Sequence, residues 1–408
     1  MNYVEALNVT KKYNQEQLLK YYDRLSEIEK VELLRQIANI DWSLLAILKK
    51  EKREHQRGVL EPLDAIETQE IQQKKDIFYQ TGMKAIQEGK VAAVLLAGGQ
   101  GTRLGFDKPK GMLNVGETKE LFLFEQLINN VTEVAKAADT WIPFYIMTSE
   151  KNQTDTINFF EENHYFGYPK EYIKFFMQEM APSVDYNGKI LLEGYGRISL
   201  SPNGNGGWFS SMKKSGVLED AKHRGVIWFN IFSVDNVLQK IADPLFIGAT
   251  IENGNVSGAK VVKKVEPEER VGVLCKEDGK PAIVEYYEMT NEMLTAKKEN
   301  GDLQYSFGVT LNYLFHLDQL EDILNDEMPT HVVEKKIPYL NEQGNLIKPD
   351  QPNGYKFEQL VLDMIHMLDN CLPYEVIRKE EFAPIKNRTG VDSLESARLL
   401  MKENGIPL

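Results

Sequence analysis

The pattern of apolar and polar positions changes along the chain. Through residues 1–90 apolar side chains recur at helical spacing, as at Leu18, Leu19, Tyr22 and Leu25, then Val31, Leu34 and Ile37. Asp41 ahead of Trp42 reads as the N-cap of a helix through Leu44, Leu45 and Leu48. No residue of this stretch points to chemistry, and it predicts a helical bundle packed on the main domain. At Val91 the texture changes. The unbroken apolar run Val91–Ala97 predicts a strand covered on both faces, as in a parallel sheet. Pro143–Met147 and Val226–Phe232 repeat that signature, with helix-like Thr154–Phe160 between them. Strand, loop and helix in alternation predict an α/β fold with a doubly wound, Rossmann-like mixed sheet, whose ligands sit at the carboxyl ends of the strands.

Shorter strands come later: Ala259–Val262, Val271–Cys275 and Ile283–Tyr287, with Asp278-Gly279 as a hairpin turn between the last two. They predict an added antiparallel layer. A Pro/Asn/Gly-rich connector at Pro349–Gly354 precedes an expected helix near Lys356–Leu368. Asp392 with Glu395 has the form of a capping box for a last helix through Leu400. The expected division is an N-terminal helical region (1–90), a central α/β domain (91–345) and a small C-terminal lobe (346–408).

Charge narrows the partners. Lys and Arg number 48 against 61 Asp and Glu, a formal charge of −13. Such a surface disfavours nucleic acid, whose binding rests on phosphate neutralisation. A small phosphorylated ligand stays compatible, because a few cations in a cleft outvote a distant acidic surface. No apolar run approaches the length of a membrane helix. The first residues lack the basic-then-apolar pattern of a secretory signal. Cys275 and Cys371 lack metal-ligand spacing, so neither a disulfide framework nor a structural zinc site is expected, and a reducing cytoplasm fits. His55, His164, His223, His316, His331 and His366 are scattered and read as structural or surface residues.

Candidate chemistry is densest at Leu96-Ala97-Gly98-Gly99-Gln100-Gly101-Thr102-Arg103-Leu104-Gly105, followed by Pro109-Lys110-Gly111. Glycines after a buried strand let backbone N–H groups approach phosphate oxygens, and Arg103 and Lys110 add positive charge. The dinucleotide fingerprint fails because Leu104 stands where its last glycine belongs, and no Gly-Lys-Ser/Thr triplet makes a P-loop. Ser201–Gly207 is either a flexible turn or a loop whose amides meet a base or sugar. Asp235 after the Val226–Phe232 run is either a Mg²⁺ ligand or the N-cap of a helix. Gln178, Glu285, Lys356 and Lys386 taken singly read as surface residues.

Together, and in this order, these segments resemble the UDP-sugar pyrophosphorylase family, most closely its UDP-N-acetylhexosamine members. The resemblance runs from about Leu95 to Asn387. It rests on the glycine loop with Pro-Lys-Gly, Asn203-Gly204-Asn205-Gly206-Gly207, Val234-Asp235-Asn236, Ala242-Asp243-Pro244, Glu285-Tyr286-Tyr287-Glu288, Asn353-Gly354-Tyr355-Lys356 and Glu381-Phe382-Ala383-Pro384-Ile385-Lys386-Asn387. It implies transfer of uridylyl from UTP to a sugar 1-phosphate, N-acetylglucosamine 1-phosphate first, with release of pyrophosphate. By resemblance Ala97, Gly98, Gly99, Gln178 and Gly204 serve the nucleotide. Arg103, Lys110 and Lys386 hold the phosphates, Asp235 ligates Mg²⁺, and Asn205, Glu285 and Lys356 face the sugar side. Three departures fall on that side. Gly308-Val309-Thr310 stands where the acetamido-sugar enzymes usually read Gly-Asn-Ile, Leu360 and Leu362 replace an aromatic pair, and Glu-Tyr-Tyr-Glu replaces Glu-Tyr-Ser-Glu. Another sugar (GalNAc, glucose or galactose) or a non-catalytic nucleotide-sugar-binding protein are the alternatives. Oligomeric state leaves no mark in the sequence.

Overall fold

The computed structural model describes residues 1–48, 57–325 and 328–408, so His55 lies outside the described residues. Two compact units emerge, each assembled from separated segments. One comprises residues 1–56, 179–207 and 329–360; the other comprises 57–178, 208–328 and 361–408. They cut across the boundaries that the sequence suggests at 90 and 345.

The larger unit is built on a ten-stranded mixed sheet. In chain order its strands are β1 (Leu60–Pro62), β2 (Val91–Leu96), β3 (Phe144–Thr148), β4 (Ile173–Met177), β5 (Trp228–Ser233), β6 (Ser257–Lys263), β7 (Val273–Glu277), β8 (Lys280–Val284), β9 (Phe307–His316) and β10 (Leu372–Glu375). The spatial order is β1-β7-β9-β5-β2-β3-β4, with β6 paired to β9 and β10, and β8 paired to β7. Strands β5, β2, β3 and β4 run parallel, and β9 lies antiparallel to β5. Every residue of β2 and β3 is buried. Val91, Ala93 and Leu95 join Phe144, Ile146 and Phe232 in one core, while Ala92, Val94 and Leu96 join Tyr145, Met147, Phe229 and Ile231 in another. The unbroken apolar runs thus serve two cores from alternate residues, as pleat geometry dictates.

The β7–β8 hairpin turns at Asp278 (φ 51°) and Gly279 (φ 82°), the two left-handed residues a tight hairpin requires. It is no separate layer, because Val273 pairs with Gly308 and ties β7 to β9. Strand β8 ends at Val284, and Glu285–Glu288 forms a turn in which Glu288 N–H donates to the Glu285 carbonyl (2.9 Å). The last helix, Leu394–Glu403, is capped by Ser393, whose hydroxyl accepts from Ser396 N–H (3.3 Å). Asp392 instead adopts φ 55°, and its carbonyl accepts from the N–H groups of Lys386 (2.6 Å) and Asn387 (2.9 Å). Cys275 and Cys371 are unpaired, and burial pushes both thiols up to about 12, which makes them poor nucleophiles.

Helices Lys75–Gln87 and Pro244–Glu252 touch backbone to backbone through Gly82 and Gly248. A Cβ on Gly248 would strike the Phe78 carbonyl, and one on Gly82 would strike that of Pro244. Gly248→Ala is expected to cost about 1–3 kcal/mol, the usual range for overpacking, read as a lower urea midpoint at unchanged slope.

The smaller unit packs the helices Tyr3–Lys12 and Glu27–Ala38 with a three-stranded sheet of Val184–Asp185, His331–Lys335 and Gly354–Glu358. Leu18, Leu33 and Ile37 share its core with Val184, Ile198 and Phe357. Leu18–Leu25 is folded as short 3₁₀ turns and Val31 is exposed, Leu33 taking the inward position of that helix. Asp41 caps no helix. Its carboxylate accepts from the Ser43 N–H (3.0 Å) and hydroxyl (2.6 Å), ahead of the short helix Leu44–Ile47. Lys356 lies on a strand rather than at a helix start, opposite Val333, and the helix comes later, at Val361–His366. Among the described residues no helix is long and apolar enough to cross a membrane.

Candidate active site

Strand β2 delivers the glycine loop. Ala97 N–H donates to the Met147 carbonyl (2.8 Å), which keeps the chain in sheet register for one more residue. The loop then turns away and is held by Asn152, a fully buried side chain. Its Nδ2 donates to the carbonyls of Ala97 (2.8 Å) and Gly99 (3.4 Å), and its Oδ1 accepts from Ser149 N–H (2.7 Å). Gly101 N–H donates to Lys108 (3.1 Å) and Phe106 N–H to Gly101 (3.2 Å), closing the loop. A Cβ at Gly101 would sit 2.8 Å from Phe106, so a side chain is excluded there. Gln100 bridges Pro109, which returns Lys110 beside Gly99. Gln178, just beyond β4, is buried, and its Oε1 lies 3.0 Å from where a Gly98 Cβ would be. Ala97, Gly98 and the Gln178 amide therefore come together. A backbone edge next to a carboxamide offers the donors and acceptors that read a planar base.

The charged part of the site rests on β5. Asp235 lies two residues past its end, and the Lys110 ammonium bonds its Oδ1 at 2.6 Å. The Lys110 side chain is 10% exposed and that of Asp235 29%, so the pair sits at a wall and not on open surface. No helix begins at Asp235; the next one, Pro244–Glu252, is capped by Asp243. Asn236 staples this corner to the segment bearing Lys386. Its Nδ2 donates to the Glu381 carbonyl (2.6 Å), its Oδ1 accepts from Ala383 N–H (2.9 Å), and Ile385 N–H donates to the Asp235 carbonyl (2.9 Å). Lys386 and Arg103 are exposed. Arg388, also exposed, lies with its guanidinium carbon 4.0 Å from where a Gly105 Cβ would be. Beneath the corner, buried Lys260 bonds Asp243 (2.9 Å) and Glu381 (2.6 Å). Burial works against that ammonium, yet the two carboxylates hold it above the ordinary lysine range.

Glu285 comes directly after β8 and is half-buried. Burial raises its carboxyl above the usual range, Glu288 adds repulsion, and Lys386 and Arg57 pull the other way. A Cβ at Gly272 would lie 3.5 Å from Val309 and 3.6 Å from the Glu285 carboxylate, so Val309 and Glu285 line the same spot.

Gly204, Asn205 and Lys356 belong to the smaller unit. Gly204 has φ 92°, and a Cβ there would strike the Gln359 carbonyl. Gly206 N–H donates to that carbonyl (2.8 Å), and Gln359 N–H donates to Asn203 (2.6 Å), which fixes the Asn-Gly-Asn-Gly-Gly loop against residues 359 and 360.

Sequence reasoning missed Asn152 and Arg388, and it named Asn236 only within the Val234-Asp235-Asn236 motif, without a role. Asn152 stands ahead of an amphipathic stretch and looks like a helix cap, which hides its role in the loop. Arg388 is close in sequence to Lys386, and that proximity was the one available signal.

Among the described residues no group of three or more His, Cys, Asp or Glu could hold a metal ion by itself. Asp235 is a single carboxylate beside a phosphate-type loop. That donor set suits Mg²⁺, which commonly takes one or two carboxylates and completes its shell with substrate phosphates and water.

A mixed sheet whose parallel strands carry a glycine loop at the carboxyl end of one and a Lys–Asp pair at that of its neighbour is an α/β arrangement suited to a nucleotide's phosphates. Comparison with known proteins makes this specific: the chain belongs to the UTP–glucose-1-phosphate uridylyltransferase family, whose profile matches residues 36–405. It is a uridylyltransferase, transferring uridylyl from UTP to a sugar 1-phosphate. The mouse UDP-N-acetylhexosamine pyrophosphorylase-like protein 1 is 36% identical over 403 residues, covering 93% of this chain and 79% of the mouse protein. The UDP-N-acetylglucosamine pyrophosphorylase of Saccharomyces cerevisiae is 39% identical over 341 residues, 80% of this chain and 71% of the yeast protein. Among solved structures, the UDP-N-acetylglucosamine pyrophosphorylase of Trypanosoma brucei in complex with an inhibitor superposes with a TM-score of 0.84 at 29% identity, covering 96% of this chain and 82% of that one.

Proposed function

We propose that the sugar is N-acetylglucosamine 1-phosphate and that the product is UDP-N-acetylglucosamine. The observation that carries this is the 39% identity to the yeast enzyme, whose name states that sugar nucleotide. Ala97, Gly98 and Gln178 contact the uracil, and the amides from Gly98 and Gly99 lead to the triphosphate. Arg103, Lys110 and Lys386 balance the charge of the phosphates. Glu285 meets the sugar. The compartment we propose is the cytoplasm, in keeping with the two reduced, buried thiols.

The chemistry asks little of proton transfer. A sugar 1-phosphate oxygen, already ionised near pH 7, forms a bond to the α-phosphorus of UTP. The bond from that phosphorus to the bridging oxygen breaks, and pyrophosphate leaves with the electron pair. Bringing two polyanions into line and stabilising the charge that develops is the catalytic task. Lys110, held by Asp235 before substrate binds, is preorganised to face that charge. Asp235 would hold the metal ion, Mg²⁺ in our reading, which supplies charge neutralisation at phosphate oxygens. Excess EDTA is accordingly expected to stop pyrophosphate release and added Mg²⁺ to restore it. Turnover indifferent to EDTA would remove the metal from the account.

A second reading has its own support. The Val309 side chain beside Glu285 offers no amide to an acetamido group, which favours a plain hexose 1-phosphate. Pyrophosphate release from UTP with N-acetylglucosamine, N-acetylgalactosamine, glucose and galactose 1-phosphates decides between them. Our reading expects the highest kcat/KM with N-acetylglucosamine 1-phosphate, and a preference for glucose 1-phosphate would overturn it.

A further inference from the structure

Arg57 sits at the centre of a charged cluster beside the sugar side of the site. Its guanidinium donates through Nη2 (2.7 Å) and Nε (3.3 Å) to the two oxygens of Glu288, and through Nη1 to Glu277 (2.9 Å). Nη2 also reaches the Ile283 carbonyl (3.4 Å). The side chains are 23% exposed for Arg57, 29% for Glu288 and 9% for Glu277, so solvent only partly screens the cluster. The Glu288 oxygen that takes Nη2 also accepts the backbone N–H of Glu285 at 2.9 Å. The chain of contacts runs from the guanidinium through one carboxylate to the peptide that carries Glu285.

We infer that Arg57 is a positioning residue for the sugar 1-phosphate, acting through Glu288 on the backbone of Glu285. The inference rests on the proposed contact between Glu285 and the sugar. Three points carry it. A fork on one carboxylate fixes direction as well as distance, which a lysine cannot reproduce. Without the guanidinium, Glu288 is left without its cation next to the Glu285 carboxylate and gains freedom to leave the Glu285 N–H, while Glu277 keeps only the Gly58 N–H (2.7 Å). The charged groups acting on Glu285 are Glu288, Lys386 and Arg57, so loss of Arg57 leaves the balance more negative where a phosphorylated sugar must approach.

Steady-state kinetics in the forward direction test this, varying UTP and the sugar 1-phosphate separately. Arg57→Ala is expected to raise the KM for sugar 1-phosphate about tenfold with the KM for UTP changed by less than about twofold, a split that general loosening does not give. Arg57→Lys should recover only part of the loss. Glu288→Gln, which keeps the shape of the acceptor, should show the same split, and adding it to Arg57→Ala should bring little further change. Equal increases in both KM values, or an unchanged sugar KM in the folded Arg57→Ala and Glu288→Gln proteins, would overturn the inference. Glu285→Gln separates the two levels. If it leaves the sugar KM unaltered, the sugar contact itself is wrong; if it raises that KM while the Arg57 and Glu288 variants do not, only the positioning role is wrong.

Discussion

Lys110→Ala and Asp235→Ala each lose on the order of 10²–10³ in turnover, the usual cost of removing one preorganised charge from a transition state. Both proteins are expected to remain folded. Lys110 lies on a short 3₁₀ turn and Asp235 in an irregular segment, so neither change interrupts the sheet. The pair is partly solvated, so breaking it costs less than breaking a fully buried one. Lys110→Ala leaves Asp235 and any bound cation but removes the ammonium from the triphosphate. Asp235→Ala frees Lys110 but removes the only carboxylate at this corner proposed to hold the metal. Two different deletions with the same consequence distinguish a catalytic pair from a structural one. Pyrophosphate release with circular dichroism alongside checks both, and wild-type turnover in either variant would exclude that residue.

The second large effect is on stability. Lys260→Ala leaves Asp243 and Glu381 buried without their shared cation and is expected to cost about 3–5 kcal/mol at neutral pH. The loss depends on pH in a definite direction. In the parent protein Asp243 is held below the ordinary carboxylate range: burial opposes its charge, but Lys260, joined by Lys240 and the Leu245 N–H, outweighs burial, so its favourable contribution is in full force above the unfolded pKa. In the variant burial is opposed only by Lys240 and by the Leu245 N–H that Asp243 accepts (3.0 Å), and the carboxyl is expected to rise above its unfolded value. The variant therefore regains stability as the pH falls through that raised value, while the parent changes little until lower pH. Urea midpoints at pH 7 and pH 5 should converge. A gap that stays constant would show that packing, not charge, is what Lys260 provides. Because Glu381 also presents its carbonyl to Asn236, Lys260→Ala is further expected to loosen the Asp235–Lys386 corner.

Where the fold was legible, the reason was local. Strand β2 announced itself because a strand covered on both faces has no polar positions, and the Asp278-Gly279 turn because few residues tolerate two left-handed conformations in succession. Lys356 reads toward a helix because the apolar residues after it suit one. Its pairing with His331–Lys335 belongs to a distant segment and leaves no trace in local spacing. The same holds for the two discontinuous units. In the candidate site, the glycine loop and its cations stood out as types and spacing. That the Lys110 ammonium touches a carboxylate 125 residues away, and that a buried asparagine at 152 holds the loop in shape, depends on how the sheet brings β2, β3 and β5 side by side.

The central proposition is that the Gly98–Gly105 turn and the neighbouring Lys110 receive the triphosphate of UTP. A crystal structure with UTP and Mg²⁺ bound tests it most directly. The expected result is phosphate oxygens against the backbone amides of this turn, with the Lys110 ammonium moved from Asp235 to a phosphate. A nucleotide bound elsewhere, with the Lys110–Asp235 contact unaltered, would contradict it.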